Sequence, residues 1–339
     1  ITNTMTIPAV PIGSRYGPRT SAYTWSVLRR STTSTRIGCV VGCPARFRTA
    51  SWTGSDSGSS RAGFVVDAAW VVGCDVGLYE REAMVQTIVI APAERYIVEV
   101  LFEQSGTVTM TNRIQAIDHY RGIFVPQVDT LGIIEVAATA TEESHRSAFE
   151  TLRTNENVIA EIDRFREEFG RPVDHEIELG VEIGALPIPI LQMMALDTLY
   201  FHPLEWSDAM PEMNYVSTGA DVRWFIRDVE TGRENEEIDW RFHVGDVVKL
   251  RIHNEPTNLH PMHHPIHLHG QRFLVLERDG VRNTNFVWKD TAVIPLGSTV
   301  DLLVEMSNPG DWMLHCHISE HLETGMQLVF HVDPQTRTQ

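Results

Sequence analysis

Near the C-terminus stand two histidine clusters, His264-Pro265-Ile266-His267-Leu268-His269-Gly270 and His315-Cys316-His317-Ile318-Ser319-Glu320-His321-Leu322-Glu323-Thr324-Gly325-Met326. Together they offer six imidazoles, one thiol and one thioether. Copper prefers this mixture of ligands, because soft sulfur suits Cu(I) and imidazole suits both oxidation states. A cysteine with two histidines and a distant methionine is typical of a blue electron-transfer copper centre.

The spacing of these residues predicts two separate sites. Alternate side chains of a β-strand share a face, so His267 and His269 should point the same way, as should His315 and His317. Cys316 should point to the opposite face. A zinc site, or histidines satisfied at the surface, is the alternative explanation. Zinc favours closed tetrahedral ligation and has no use for the trailing methionine.

The two clusters resemble the third and fourth copper motifs of the multicopper oxidases, H-P-x-H-x-H-G and H-C-H-x-x-x-H-x-x-x-x-M. That family includes laccases, bacterial spore-coat laccases and copper-efflux oxidases. The resemblance implies that a phenol, an aromatic amine or a metal ion gives single electrons to a type 1 copper. A trinuclear copper cluster then reduces O2 to water.

The resemblance also implies a set of type 1 copper ligands. His264, Cys316 and His321 would be the equatorial ligands, and Met326 would be the axial ligand. The residues present therefore predict a complete type 1 site.

The remaining histidines of the motifs would serve the trinuclear cluster. The resemblance implies that His267 binds the type 2 copper and that His269, His315 and His317 bind the type 3 pair. Glu320 stands where similar bacterial members carry an acid that supplies protons to the oxygen site. A solvated surface acid is the alternative for Glu320.

The trinuclear cluster is incomplete in this sequence. A full cluster needs eight histidines in four H-x-H pairs, and this chain contains two such pairs. In the family, the first two pairs come from an N-terminal cupredoxin domain. We therefore expect a C-terminal portion of a three-domain oxidase, which needs the missing domain or a partner chain.

Two functional hypotheses follow. The first is a laccase-like enzyme with O2 as electron acceptor. The second is a non-catalytic copper protein that exchanges electrons through the type 1 site alone. A copper nitrite reductase is disfavoured, because that family separates its type 1 ligands from the doubled H-C-H arrangement.

Composition restricts partners and location. The chain has 339 residues, of which 42% are hydrophobic, and its net charge is −17. The negative charge argues against nucleic acid as a partner, and no apolar run is long enough to span a membrane. The chain begins at Ile1 without a signal peptide, which predicts a processed or incomplete product. The family resemblance implies a periplasmic or extracellular location.

The predicted fold is all-β, with cupredoxin-like Greek-key β-barrels and a connecting helix. Short strands separated by turns predict a β-sandwich or barrel over 173–339. The family resemblance implies that this is a C-terminal cupredoxin domain. The segment Ala91-Pro92-Ala93-Glu94-Arg95-Tyr96 resembles a family segment, which implies that residues 73–136 are part of the copper-free middle domain. Between them, 137–172 is predicted to be a helical connector.

The connector is predicted to contain one helix over 142–169. Val158, Ile162, Phe165 and Phe169 form an apolar stripe at helical spacing. Gly170 and Pro172 then give a stop signal.

Residues 1–72 differ from the rest in composition. They hold eight arginines, no lysine and two acids, Asp56 and Asp67. This segment is left unassigned, with three hypotheses: a linker, a divergent half-domain, or an out-of-frame translation with the correct frame resuming near residue 71.

Overall fold

The computed structural model describes residues 24–29, 35–40, 48–55, 63–65, 69–85, 88–102, 105–118, 123–139, 146–195, 221–258 and 262–334. Its first half contains ten strands: β1 (Thr24–Arg29), β2 (Thr35–Val40), β3 (Arg48–Ser55), β4 (Gly63–Val65), β5 (Ala69–Cys74), β6 (Gly77–Val85), β7 (Ile88–Ile90), β8 (Tyr96–Glu99), β9 (Gly106–Asp118) and β10 (Ile123–Val136). Eleven more follow: β11 (His175–Ile183), β12 (Val222–Asp228), β13 (Trp240–His243), β14 (Val247–Asn254), β15 (His264–Leu268), β16 (Arg272–Arg278), β17 (Val281–Arg282), β18 (Thr291–Ile294), β19 (Thr299–Glu305), β20 (Gly310–Cys316) and β21 (Gln327–Asp333). The all-β prediction is confirmed for the described residues.

The strands of the first half form two sheets. One has the order β1-β2-β8-β5-β6, and the other has the order β10-β9-β3-β4 with β7 paired to β3. Strand β5 crosses the predicted boundary between residues 72 and 73. Strands β1 to β4 pair with one another or with strands that follow residue 68. The half-domain hypothesis for 1–72 stays a prediction. The linker and frame hypotheses otherwise concern residues outside the described ranges.

The second half forms two sheets that face each other across one core. The six-stranded sheet has the order β12-β11-β14-β19-β16-β17, and the five-stranded sheet has the order β13-β21-β20-β15-β18. The core draws on both sheets, for example Ile177 and Leu250 from the first and Ile266 and Phe330 from the second. Alternating apolar residues in β11 predict this half-buried strand, and the structure places it over the same residues, His175–Ile183.

The predicted single helix over 142–169 is wrong. The described part of this segment contains α1 (Arg146–Phe149), α2 (Glu156–Asp163) and a 3-10 helix (Arg166–Gly170). The chain is extended between α1 and α2, because its backbone pairs with the edge of β6. Glu82 N donates to Arg153 O at 3.0 Å, and Asn155 N donates to Glu80 O at 2.8 Å. The remaining helices are α3 (Ile188–Ala195), α4 (Ser319–Glu323) and a 3-10 helix (Asn235–Glu237).

The apolar stripe of this connector is confirmed. Ile162 and Phe165 are buried, and Val158 and Phe169 pack beside them. They form a second core with five residues of the C-terminal half, which are Leu274, Leu276, Phe286, Trp288 and Leu303. No helix among the described residues is long and apolar enough to span a membrane.

Truncation of Ile162 tests the contribution of this second core. Ile162 is fully buried, so Ile162→Ala should lower the free energy of unfolding by about 2–5 kcal/mol through lost burial and a residual cavity. Leu152, on the extended link, is 49% exposed, and Leu152→Ala should change that free energy by about 0.5 kcal/mol or less. Urea unfolding measures both. Equal effects for the two variants would show that the connector does not stabilise the fold.

Candidate metal centre

Antiparallel pairing of β15 with β20 brings the two histidine clusters together. The register places Ile266 opposite Cys316 and His267 opposite His315. Neighbouring side chains of β20 point to opposite faces, so His315 and Cys316 belong to different sites. The predicted division of the clusters between two faces is therefore observed.

The first site is a triangle of three buried ligand atoms. Cys316 Sγ lies 3.7 Å from His264 Nδ1 and 3.5 Å from His321 Nδ1, and the two nitrogens are 3.2 Å apart. The three atoms lie close enough together to be ligands of one metal ion. The two histidines and one cysteine match the trigonal ligand set of a blue copper site. These residues therefore fit a copper ion.

A short helix returns the chain to this triangle. Helix α4 begins three residues after Cys316 and carries His321 back to the same side. Gly325 then turns the chain with φ of +115°, a conformation that L side chains rarely adopt. Met326 follows and is fully buried. Its backbone bonds to both neighbours, since Met326 N donates to His321 O and Cys316 N donates to Met326 O.

Trp224 of β12 covers the two histidines of the triangle. Its ring stacks on His321 with a centroid distance of 3.7 Å and meets His264 edge-on at 5.2 Å. Burial in this apolar setting raises the pKa of the Cys316 thiol well above its ordinary value. A bound cation would reverse that preference, because a coordinating thiol is deprotonated by the metal.

The second site is a group of four imidazoles on the opposite face. Neighbouring ring centroids of His267, His269, His315 and His317 lie 4.8 to 5.6 Å apart. The Nε2 atoms of His269 and His315 are 3.0 Å apart. His315 Nδ1 lies 2.8 Å from Cys316 O, an acceptor that favours the tautomer with a lone pair on Nε2.

Electrostatics favour the neutral form of three of these imidazoles. Burial is the main cause that lowers the pKa of His315 to about 4; the hydrogen bond to Cys316 O opposes this shift, and the neighbouring imidazoles contribute to it. The pKa values of His269 and His317 are also below the ordinary value, with burial as the main cause. Neutral imidazole is the form that binds a metal ion.

His267 is held by a chain of polar contacts that begins in the other half of the molecule. Its Nδ1 lies 2.8 Å from Thr291 Oγ1, which donates to Asp290 Oδ1 at 2.8 Å. Arg95 reaches Asp290 with two hydrogen bonds of 2.6 Å each. Burial alone would raise the pKa of Asp290, but hydrogen bonds from His267 and Arg95 hold it well below its ordinary value. Asp290 is therefore a permanent anion behind His267.

Gly270 closes the first motif because only glycine fits there. Its φ is +67°, and a Cβ atom would lie 2.2 Å from the ring of Trp312. The indole donates from Nε1 to Asn308 O at 2.9 Å, which fixes the ring against the turn. The turn after His269 therefore depends on the absence of a side chain at this position.

Each predicted ligand lies in one of the two groups or beside it. Glu320, the predicted proton donor, is exposed in the first turn of α4. Sequence patterns did not indicate a site role for Trp224, Arg95 or Thr291. Trp224 lies in no ligand motif, and Arg95 reaches its partner across 195 residues of sequence.

Comparison with known proteins points to the family that the two histidine clusters resemble. The family described as Multicopper oxidase matches residues 205–336. A laccase of Neurospora crassa is 31% identical over 192 residues, which is 47% of this chain and 30% of the relative. The iron transport multicopper oxidase fio1 of Schizosaccharomyces pombe is 37% identical over 107 residues, 28% of this chain and 16% of the relative.

The C-terminal part of this chain, residues 205–336, is similar to the multicopper oxidase family. Two solved multicopper oxidases confirm the predicted cupredoxin-like fold. A laccase-like multi-copper oxidase of Ochrobactrum sp. matches with a TM-score of 0.53 and 19% identity, over 88% of this chain and 56% of that one. A metallo-oxidase of Campylobacter jejuni matches with a TM-score of 0.51 and 16% identity, over 85% and 51%. The chain thus spans about half the length of these structures, and its matches span less than a third of these curated relatives.

The low pKa of His315 predicts how stability depends on pH in the copper-free protein. A histidine in the unfolded chain has a pKa near 6.5, whereas folded His315 has a pKa of about 4. Between these values the unfolded state binds a proton that the folded state does not bind. Lowering the pH from 7 to 4 should therefore reduce the free energy of unfolding by on the order of 3 kcal/mol through His315 alone.

Urea unfolding at several pH values, with and without His315→Asn, measures this contribution. The variant should lose less stability on acidification than the wild type. His331→Asn is the control, because two aspartates raise the pKa of exposed His331 and its contribution has the opposite sign. Identical pH profiles for the wild type and His315→Asn would contradict the expectation.

Proposed function

We propose that this chain supplies the electron-entry site of a multicopper oxidase and half of the ligands of its oxygen-reducing site. The observation that carries the proposal is the buried triangle of His264, Cys316 and His321, with all three ligand atoms within 4.8 Å of one another. When bound, copper would supply one-electron redox chemistry at this site. Met326, adjacent in space through its backbone, is proposed as the axial ligand.

The protein contributes position, exclusion of water and a short path between the two sites. His264, Cys316 and His321 are buried, and Trp224 restricts rotation of the two rings. His315 and His317 flank Cys316 in the chain, so an electron that enters at the sulfur is one peptide unit from either imidazole. The proposed direction is from the triangle to the histidine group.

The histidine group is proposed to be half of a trinuclear copper site. His267 is assigned to type 2 copper, and His269, His315 and His317 to the type 3 pair. The four further histidines are proposed to come from another cupredoxin domain or a partner chain. Residues 173–339 are the proposed copper-binding domain, 73–136 part of a copper-free domain, and 137–172 the connector.

The proposed reaction is laccase-like oxidation of phenols, aromatic amines or metal ions with O2 as acceptor. Relatives include both a laccase and an iron transport oxidase, so both substrate classes remain in the proposal. Glu320 is proposed to deliver protons from its exposed position on α4. A periplasmic or extracellular location is proposed with the same activity.

Copper reconstitution tests the first site. Copper added to the purified full chain should produce one blue centre per chain, and Cys316→Ser should abolish its absorption, because the cysteine thiolate is an essential ligand. Cys74 is equally buried but lies outside the triangle, so Cys74→Ser should keep the blue band. A blue band that survives Cys316→Ser would refute the assignment of this ligand.

Oxygen uptake separates the oxidase from the alternative, a copper protein that only exchanges electrons. A preparation that carries the four missing histidines and consumes O2 with a phenol or Fe(II) supports the oxidase. One blue copper per chain without oxygen uptake, even after the missing partner has been supplied, supports electron exchange alone.

The contact from Thr291 to His267 predicts a selective effect on the histidine group. Loss of a partner that orients a metal-binding histidine typically costs about 10–100-fold in metal affinity. Thr291→Val should weaken non-blue copper binding by this order, with an altered electron paramagnetic resonance signal, while the blue band stays unchanged.

Thr299→Val is the matched control for this experiment. Thr299 Oγ1 lies 3.0 Å from His253 Nδ1, the same kind of contact outside both sites. Equal losses in the two threonine variants would indicate general damage to the fold instead of a role at His267.

A further inference from the structure

A buried polar cluster joins the two halves of the chain. Lys289 Nζ lies 2.7 Å from Cys74 Sγ, 3.0 Å from Asp75 Oδ2 and 3.2 Å from Glu94 Oε1. The ring of Tyr96 lies beside the ammonium, with its centroid at 5.3 Å. Cys74 is fully buried, and the side chains of Lys289 and Glu94 are nearly so. Neither His264 and its partners nor the histidine group uses these residues.

Ion pairs with Lys289 explain why the carboxylates of Asp75 and Glu94 lie beside the ammonium. They do not explain why the Cys74 thiol also lies there. Burial raises the pKa of Cys74 to about 12, so the sulfur is a neutral thiol and does not form an ion pair with the ammonium. A hydrogen bond to sulfur is ordinarily longer than one to oxygen, because the sulfur atom is larger. A separation of 2.7 Å between Nζ and Sγ instead suits two atoms that share one bridging oxygen.

Lysine at this position is itself unusual in this chain. The sequence has 28 basic residues, but only Lys249 and Lys289 are lysines. Lys249 Nζ contacts the carbonyl oxygens of Phe169 and Arg171. Among the described residues, Lys289 is therefore the one lysine that contacts a thiol. It supplies the primary amine that an arginine lacks.

A cavity gives a small oxidant access to the amine. It has a volume of about 390 Å³ and is lined in part by Tyr79, Glu94, Tyr96 and Lys289. It lies at the boundary between the two halves, since these residues come from both. Dioxygen and hydrogen peroxide are small enough to occupy such a space.

We propose that Cys74 and Lys289 form a covalent bridge, Nζ–O–Sγ, when the protein is oxidised by dioxygen. The S–H bond and one N–H bond of the neutral amine break, and one S–O and one O–N bond form. The second oxygen atom leaves as water with the two released hydrogens. Four electrons pass from the sulfur and nitrogen to one O2, so atoms and electrons balance.

The cluster also contains the base that this reaction needs. The ammonium must first lose a proton, and Glu94 Oε1 is within hydrogen-bonding distance of Nζ. Burial raises the pKa of Glu94, which makes its carboxylate a better proton acceptor. The neighbouring groups also raise the pKa of the Lys289 ammonium, so the proton transfer must work against that preference. The bridge would link β5 to the residue that precedes Asp290, and it would remove the positive charge between Asp75 and Glu94. A reductant should restore the thiol and the amine, as it does for other reversible cysteine oxidation products.

Peptide mass spectrometry of the copper-free full chain tests the bridge without reference to the copper sites. After exposure to air, the peptides that contain Cys74 and Lys289 should be joined, with one oxygen more and two hydrogens fewer than their sum. Trypsin should no longer cleave after Lys289. Treatment with a phosphine reductant should return the separate peptides.

Three variants identify the atoms involved. Cys74→Ser and Lys289→Arg should both reduce the joined peptide to background, and Lys289→Arg keeps a cation between the two carboxylates so that the fold is preserved. Lys249→Arg should leave the joined peptide unchanged. Full cleavage after Lys289 in the oxidised wild type, sulfinic acid on Cys74 alone, or a disulfide between Cys74 and Cys39 or Cys43 would each overturn the proposal.

Discussion

The register between β15 and β20 is the constraint on which both candidate sites depend. It sets His267 opposite His315 and Ile266 opposite Cys316. A slip of one residue would turn every side chain of β20 to the other face. Cys316 would then leave the triangle, and His315 would enter the apolar core. The core residues that alternate with the ligands, such as Leu314 and Leu268, therefore hold the metal-binding geometry as well as the fold.

Several contacts between the first half of the chain and the second run through one short segment, residues 286–291. Phe286 N donates to Glu80 Oε2, and Lys289 contacts Asp75 and Glu94. Asp290 and Thr291 then connect Arg95 to His267. This segment thus makes contacts across the interface as well as contacts toward the histidine group. Only two side chains, Asp290 and Thr291, lie between Arg95 of the first half and His267 of the second.

The sequence alone predicts those parts of the structure that depend on a local pattern of residues. The strand His175–Ile183 follows from alternation, and the division of His315 and Cys316 between two faces follows from strand geometry. The break between α1 and α2 was not predictable, because it depends on pairing with β6 more than sixty residues earlier. The same limit applies to Trp224 and Arg95. Each acts through a partner that is distant in sequence, and neither lies in a pattern that marks a ligand.

Burial shifts the pKa values of ionisable groups near these sites, but the neighbouring groups decide whether each one is charged or neutral. Burial lowers the pKa of His315, and the imidazoles around it lower the pKa further, so the ring is neutral. Lys289 is also buried, yet Glu94 and Asp75 raise its pKa well above the ordinary value. The histidine group thus offers lone pairs and no fixed charge, whereas the interface cluster already holds its own cation. A metal ion is therefore favoured at the histidine group over the interface cluster, because the interface cluster already contains the ammonium of Lys289.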